Sequence, residues 1–169
     1  MFKDAAAKAR FVPDPTVDIA RVGYGIVVRA GTARPDIATP DTFEQTLLKA
    51  QSIAFLPDSA AGAYVLKVFE RLGIADVMKA KTKIQSAPPA IAQAVAKGDA
   101  ELGVFLMNVL IAPGLEPPVP FPAELQQELV FTASVAADSK NAVAARAFIE
   151  YLRTPAASAF LKSKGMTPG

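Results

Sequence analysis

The stretch Ser52-Ile53-Ala54-Phe55-Leu56-Pro57-Asp58-Ser59-Ala60-Ala61-Gly62 decides the fold. Its first half is a short apolar run of strand length, cut by Pro57, whose ring fixes φ and removes a backbone donor. Asp58 or Ser59 then caps a helix. Within that helix Tyr64, Val65, Val68, Phe69 and Leu72 share one face, and Gly73 ends it. A strand that feeds a capped helix through a tight turn is the building unit of a layered α/β domain.

The same alternation extends outward in both directions. Upstream, Val22-Gly23-Tyr24-Gly25-Ile26-Val27-Val28 reads as a buried strand, closed by Gly31 and Pro35. Thr39-Pro40-Asp41 announces a helix by a cap, a proline at the first position and acidic charge at the positive end, with Glu44 adding to it. Phe43, Leu47 and Ala50 supply its apolar stripe. Residues 2–11 have helical propensity, ended by Val12-Pro13-Asp14-Pro15. Downstream, a short helical turn over 75–79 precedes a polar strand over 81–85, and Pro88-Pro89 opens a helix stopped at Lys97-Gly98. A buried strand spans 101–106, the proline-rich stretch 113–122 reads as irregular, and a last strand spans 129–136. Helices follow over 142–152 and from Thr154-Pro155 to Gly165. The fold class is therefore α/β, with a mainly parallel mixed sheet flanked by helices.

Composition narrows the function. Half of the 169 residues are hydrophobic (51%), enough for a sizeable core, and 18 basic against 16 acidic residues leave a net charge of +2. No basic stripe of the kind that gives nucleic-acid affinity is visible, and Lys79, Lys81 and Lys83 read as a solvated face. With no Cys and no His, thiol chemistry, His-based zinc sites and a Ser-His-Asp triad are excluded. No catalytic residue, metal site or cofactor is expected. No apolar run approaches a membrane span. Residues 1–10 lack the apolar core of a secretory leader, so export would need one outside this sequence.

Several segments, in order, resemble the type 2 periplasmic solute-binding proteins, and among them the molybdate-binding group. They are Arg21-Val22-Gly23-Tyr24-Gly25-Ile26-Val27-Val28-Arg29-Ala30-Gly31, Pro35-Asp36-Ile37, Ser52-Ile53-Ala54-Phe55 with Asp58-Ser59-Ala60-Ala61-Gly62, and Arg71-Leu72-Gly73-Ile74-Ala75-Asp76. The stretch from Ala94 through Lys97-Gly98-Asp99 to Val104, and the ending from Ala144 to Lys164-Gly165-Met166-Thr167-Pro168-Gly169, complete the match. The resemblance implies two α/β lobes joined by two crossing strands and closing on a ligand. Residues 21–136 would form the second lobe, and 1–20 with 137–169 a remnant of the first, whose N-terminal βα units have no counterpart here. It implies a substrate-binding component of an ABC-type uptake system, periplasmic in the parent protein, with a membrane permease as partner.

The leading site candidate is the helix start at Ser59, Ala61 and Gly62. Unpaired N–H groups and the helix dipole make such a terminus attractive to an oxyanion, although a capped helix after a strand is also ordinary α/β structure. In the family this loop gives backbone donors to the anion, which carries over to Ala61 and then Gly62. The family supplies a second N–H at the helix start near Ala90, but Pro88 and Pro89 have none to give. Its third contact is a tyrosine hydroxyl after the strand over 101–105, where this chain has Leu106, with Asn108 as the substitute. The expected ligand is thus a molybdate-like oxyanion or a carboxylate. Arg29 reads as a solvated strand end, and Tyr24-Gly25 as part of a hinge strand rather than a phosphate loop.

Three other functions compete. A sensor domain of a regulator on the same fold would need a DNA-binding module, which these residues do not carry. An enzyme is disfavoured by the missing His and Cys. A fragment without its first βα units would expose sheet edges and apolar faces, giving a self-associating homo-oligomer.

Overall fold

The computed structural model describes residues 9–12 and 16–169 and divides into two compact units, Met1–Arg21 with Val130–Gly169 and Val22–Leu129. The helix expected over residues 2–11 falls mostly outside the described residues. Within it, Ala9 and Arg10 form a turn, and Phe11 bridges to Ala136.

The larger unit is built on a sheet of strand order β3-β2-β4-β1-β5. These strands are Thr82–Ile84, Ile53–Phe55, Leu102–Leu106, Val17–Val27 and Val119–Pro120 respectively. β2 runs parallel to both β3 (Ala54 opposite Lys83) and β4 (Ala54 opposite Gly103). β1 is antiparallel to β4 and β5. The sheet is mixed, and its parallel part is the trio β3-β2-β4. The stretch 113–122 is not wholly irregular, because β5 lies inside it. A proline is tolerated there because β5 is an edge strand, where the missing N–H removes no ladder bond.

Helices follow each parallel strand: α1 (Pro40–Lys49) precedes β2, α2 (Ala60–Arg71) and α3 (Ala75–Lys81) follow it, α4 (Pro88–Lys97) follows β3, and the short α5 (Met107–Leu110) follows β4. The expected cap of α1 is present. Thr39 Oγ1 accepts from Thr42 N–H at 3.2 Å, Thr42 Oγ1 accepts from Thr39 N–H at 3.1 Å, and Pro40 holds the first turn. α4 ends at Gly98, whose φ of 82° is the left-handed geometry that favours glycine.

Successive β1 side chains alternate between faces. Val27 lies on the α4 side, where a Cβ added at Gly103 would meet Val27, Val95 and Ile91 within 3.4 Å. Tyr24 lies on the other, its ring 4.8 Å from Tyr64 of α2 and 5.9 Å from Phe121, which in turn meets Phe43 of α1 at 4.7 Å. One face is therefore aliphatic and the other aromatic, and both are sealed.

In the smaller unit, β1 pairs with β7 (Thr167–Pro168) through Ala20 opposite Pro168, and also with β6 (Glu128–Ala133). β6 stops at Ala133, short of the expected residue 136, and beyond it only the Phe11–Ala136 bridge continues the pairing. Asp18 binds Arg21 at 3.3 Å and accepts from Thr132 Oγ1 at 3.0 Å. Thr154 caps the last helix, α7 (Pro155–Ser163), as its Thr-Pro start implies. The preceding helix, α6 (Ala142–Leu152), buries none of its residues, and Val143, Phe148 and Tyr151 stand exposed together with Phe160 of α7.

Candidate functional site

Three adjacent parallel strands deliver their helices to one edge of the sheet. Neighbouring strands lie about 4.8 Å apart, so the carboxyl ends of β3, β2 and β4 fall within about 10 Å of one another. α2 begins after β2, α4 after β3 and α5 after β4. Open α/β sheets bind ligands outside the carboxyl ends of their strands. This edge gathers the segments that hold Ser59, Ala61, Gly62, Ala90 and Asn108.

The start of α2 is organised by Ser59. Its Oγ accepts from Gly62 N–H at 2.9 Å and donates to Leu56 O at 2.9 Å. Both capacities are thus spent on the turn, and neither the Ser59 hydroxyl nor the Gly62 N–H is left to donate to a ligand. Gly62 has a steric duty instead, since a Cβ there would lie 1.9 Å from Leu56 O. The N–H groups of Ala60 and Ala61 have no acceptor among the described residues. Ala60 is exposed, whereas Ala61 is 4% exposed. Sequence reasoning passed over Ala60 because the family correspondence pointed one residue further.

The start of α4 is different in kind. Pro88 and Pro89 carry no N–H, and Ala90 donates to Ala87 O at 3.1 Å. Ala90 therefore has no free amide, contrary to its expected role, because the chain tightens into a single turn at that point. Pro88 and Pro89 instead line a groove of about 510 Å³ beside α4, which Asn108 also lines. Asn108 Oδ1 is shut from solvent without a partner.

Tyr24 reaches the same edge, because it pairs with Leu106, the last residue of β4. It is 2% exposed. Burial, and after it the neighbouring Tyr64 phenol, push its hydroxyl up to about 12. Burial also raises Tyr64, against the opposing Arg71 charge. Tyr64 donates its hydroxyl to Leu125 O at 2.9 Å, whereas the Tyr24 hydroxyl has no partner among the described residues. Arg29 lies at the opposite edge, two residues beyond the Val27–Gly103 pair, and bridges to Leu115.

Over residues 1–167 the chain matches the family of bacterial extracellular solute-binding proteins. The chain belongs to this family. It is 32% identical over 164 residues to an aconitate isomerase of a Pseudomonas species, a match covering 96% of this chain and 62% of the length of that relative. Its fold superposes on a substrate-binding domain assigned to a molybdenum ABC transporter from Clostridium difficile (TM-score 0.75, 19% identity, 98% of this chain and 72% of that one). It also superposes on the periplasmic molybdate-binding protein of Azotobacter vinelandii (TM-score 0.74, 19% identity, 95% and 71%). The fold is that of a type 2 periplasmic binding protein of the molybdate-binding kind. Family and fold are those of binding proteins. Among the described residues of this solute-binding family member, no helix is long and apolar enough to cross a membrane.

Proposed function

We propose that the chain serves as the substrate-binding component of an ABC-type uptake system for a small anion, a molybdate-like oxyanion or a carboxylate. Val22–Leu129 acts as the second ligand-binding lobe, the parent protein works in the periplasm, and a membrane permease receives the ligand. The observation that carries this reading is the pair of unpartnered amides of Ala60 and Ala61 at the carboxyl edge of β3-β2-β4. An anion there gains hydrogen bonds of about 1.5–3 kcal/mol each and the favourable end of the helix dipole. Two such bonds give about 3–6 kcal/mol gross, against the roughly 4 kcal/mol that millimolar affinity requires. Binding by this unit alone is therefore weak. Asn108 is kept in the proposal as a flanking polar group, while Ser59 and Gly62 shape the turn and Ala90 contributes no donor.

A thermal-shift screen with molybdate, tungstate, sulfate, phosphate and small carboxylates tests the reading, because a ligand of the folded state raises apparent stability by mass action. A melting point unmoved by every anion at tens of millimolar would remove it.

The 32% identity to aconitate isomerase supports a second reading, in which a family member acts on the carboxylate it binds. Without His or Cys, proton transfer would fall to Tyr, Lys, Asp or Glu. Incubation with cis-aconitate, followed by chromatographic separation of the isomers, decides between carriage and conversion.

A further inference from the structure

Tyr24 is mounted with more care than a core residue needs. Gln126 fixes its main chain at both groups, accepting from Tyr24 N–H at 2.8 Å and donating to Tyr24 O at 2.9 Å. Gly23 leaves room for that amide, since a Cβ there would lie 3.2 Å from it. Its ring is clamped by Tyr64 and Phe121. With 2% of its surface accessible, it is nine-tenths buried and more, yet its hydroxyl is unpartnered. Among the described side chains only Asn108 Oδ1 is both unpartnered and sealed, so the Tyr24 hydroxyl keeps contact with the outside. For packing alone phenylalanine would serve as well, and a buried hydroxyl ordinarily finds a partner.

The place this hydroxyl occupies is informative. Tyr24 sits at the carboxyl end of β4, and its ring rests on Tyr64, three residues beyond Ala61 and four beyond Ala60 in α2. Residues at these spacings share a helix face, and helical side chains lean toward the N-terminus. The Tyr64 ring therefore leans toward the turn whose two amides are free, and Tyr24 packs against that ring. Of the two stacked tyrosines, one is satisfied by Leu125 O and the other is held open.

We infer that the Tyr24 hydroxyl is a third hydrogen-bond donor to the anion that the Ala60 and Ala61 amides receive. This rests on the binding function proposed above. Burial keeps the phenol protonated across the physiological range, so it is always able to donate.

The test is titration calorimetry of the full chain and of Tyr24→Phe with molybdate, sulfate, phosphate and cis-aconitate. The variant should bind whichever probe the wild type binds about 10- to 100-fold more weakly, as loss of one hydrogen bond to a charged group implies. Its melting temperature should be equal or higher. A readout that packing alone would not move is available, because the chain has three tyrosines and no tryptophan. The probe should perturb the tyrosine ultraviolet difference spectrum of the wild type, and the perturbation should vanish in Tyr24→Phe. Equal affinity of the two proteins would overturn the inference while leaving the binding function standing. A wild type that binds none of the probes would overturn both.

Discussion

Gln126 and Tyr24, 102 residues apart, close a two-bond ring in which a side-chain amide stands in for the peptide of a neighbouring strand. The ring ties β1 to the segment that leads into β6. Gln126→Ala removes both bonds and strands one donor and one acceptor of a nearly buried residue, which costs about 1–3 kcal/mol for each unsatisfied group. Chemical denaturation should show a loss of about 2–4 kcal/mol. Gln126→Glu, which loses only the donor, should lie between the variant and the wild type. A loss below about 0.5 kcal/mol would show that the ring bears no weight.

Gly62→Ala should be among the most damaging single changes in the chain. The added methyl would meet the Leu56 and Pro57 carbonyls at 1.9 and 2.7 Å, and backbone cannot rotate away as a flexible side chain can. Overpacking of this kind costs about 3 kcal/mol or more. A soluble variant with an unchanged denaturation midpoint would refute the close approach.

Ser59→Ala separates capping from ligand contact. The hydroxyl is engaged at both ends within the turn, so its removal should lower stability by about 0.5–2 kcal/mol. Affinity for a bound anion should change by less than about threefold, a difference of roughly 0.6 kcal/mol. A tenfold loss of affinity at unchanged stability would make Ser59 a ligand donor after all.

Alkaline stability reports on the tyrosine pair. Tyr24 titrates at about 12 in the folded chain, against 10.0 for an ordinary tyrosine, because burial and then Tyr64 disfavour its phenolate. Between those values the unfolded chain has released the proton and the folded chain has not, so the unfolded state binds fewer protons and stability falls as pH rises. The contribution is complete below pH 10 and is lost toward pH 12. Tyr64 shifts in the same direction and adds to the decline. Denaturation midpoints measured across this window should fall in the wild type and flatten in Tyr24→Phe; parallel slopes would contradict the assignment.

The exposed apolar residues of α6 and α7 should make the chain associate. Val143 is 85% exposed, Phe160 63% and Phe148 60%, far beyond what a scattered surface hydrophobe explains. Sedimentation velocity should show mass rising with concentration, and Phe148→Lys with Phe160→Lys should suppress it. A wild type that stays monomeric at high concentration would dispose of this expectation.

Much of the architecture was legible because the chain punctuates itself with residues of single meaning. Thr39-Pro40, Ser59 and Thr154-Pro155 each begin a helix where their chemistry requires, and Gly98 ends one. β5 escaped because a two-residue strand containing proline has no periodicity to detect, and only its edge position permits it. α5 escaped because four residues are too few to show a stripe. At the site, the start of α2 was visible, but which of its amides are free depends on where Ser59 Oγ turns. Ala90 looked available because its bond to Ala87 is made by the backbone alone. Tyr24 reads in sequence as one more inward residue of an apolar strand, and an open hydroxyl shows only once its neighbours are placed.

One consequence follows from the margins of the larger sheet. On one side it ends in β5, where Pro120 cannot offer a hydrogen to an incoming chain, and on the other in the three-residue β3, centred on Lys83. Both borders discourage the addition of foreign strands. Fibril growth by strand stacking is thereby blunted in this unit, and any clustering of the chain should be disordered and reversible by mild detergent rather than templated.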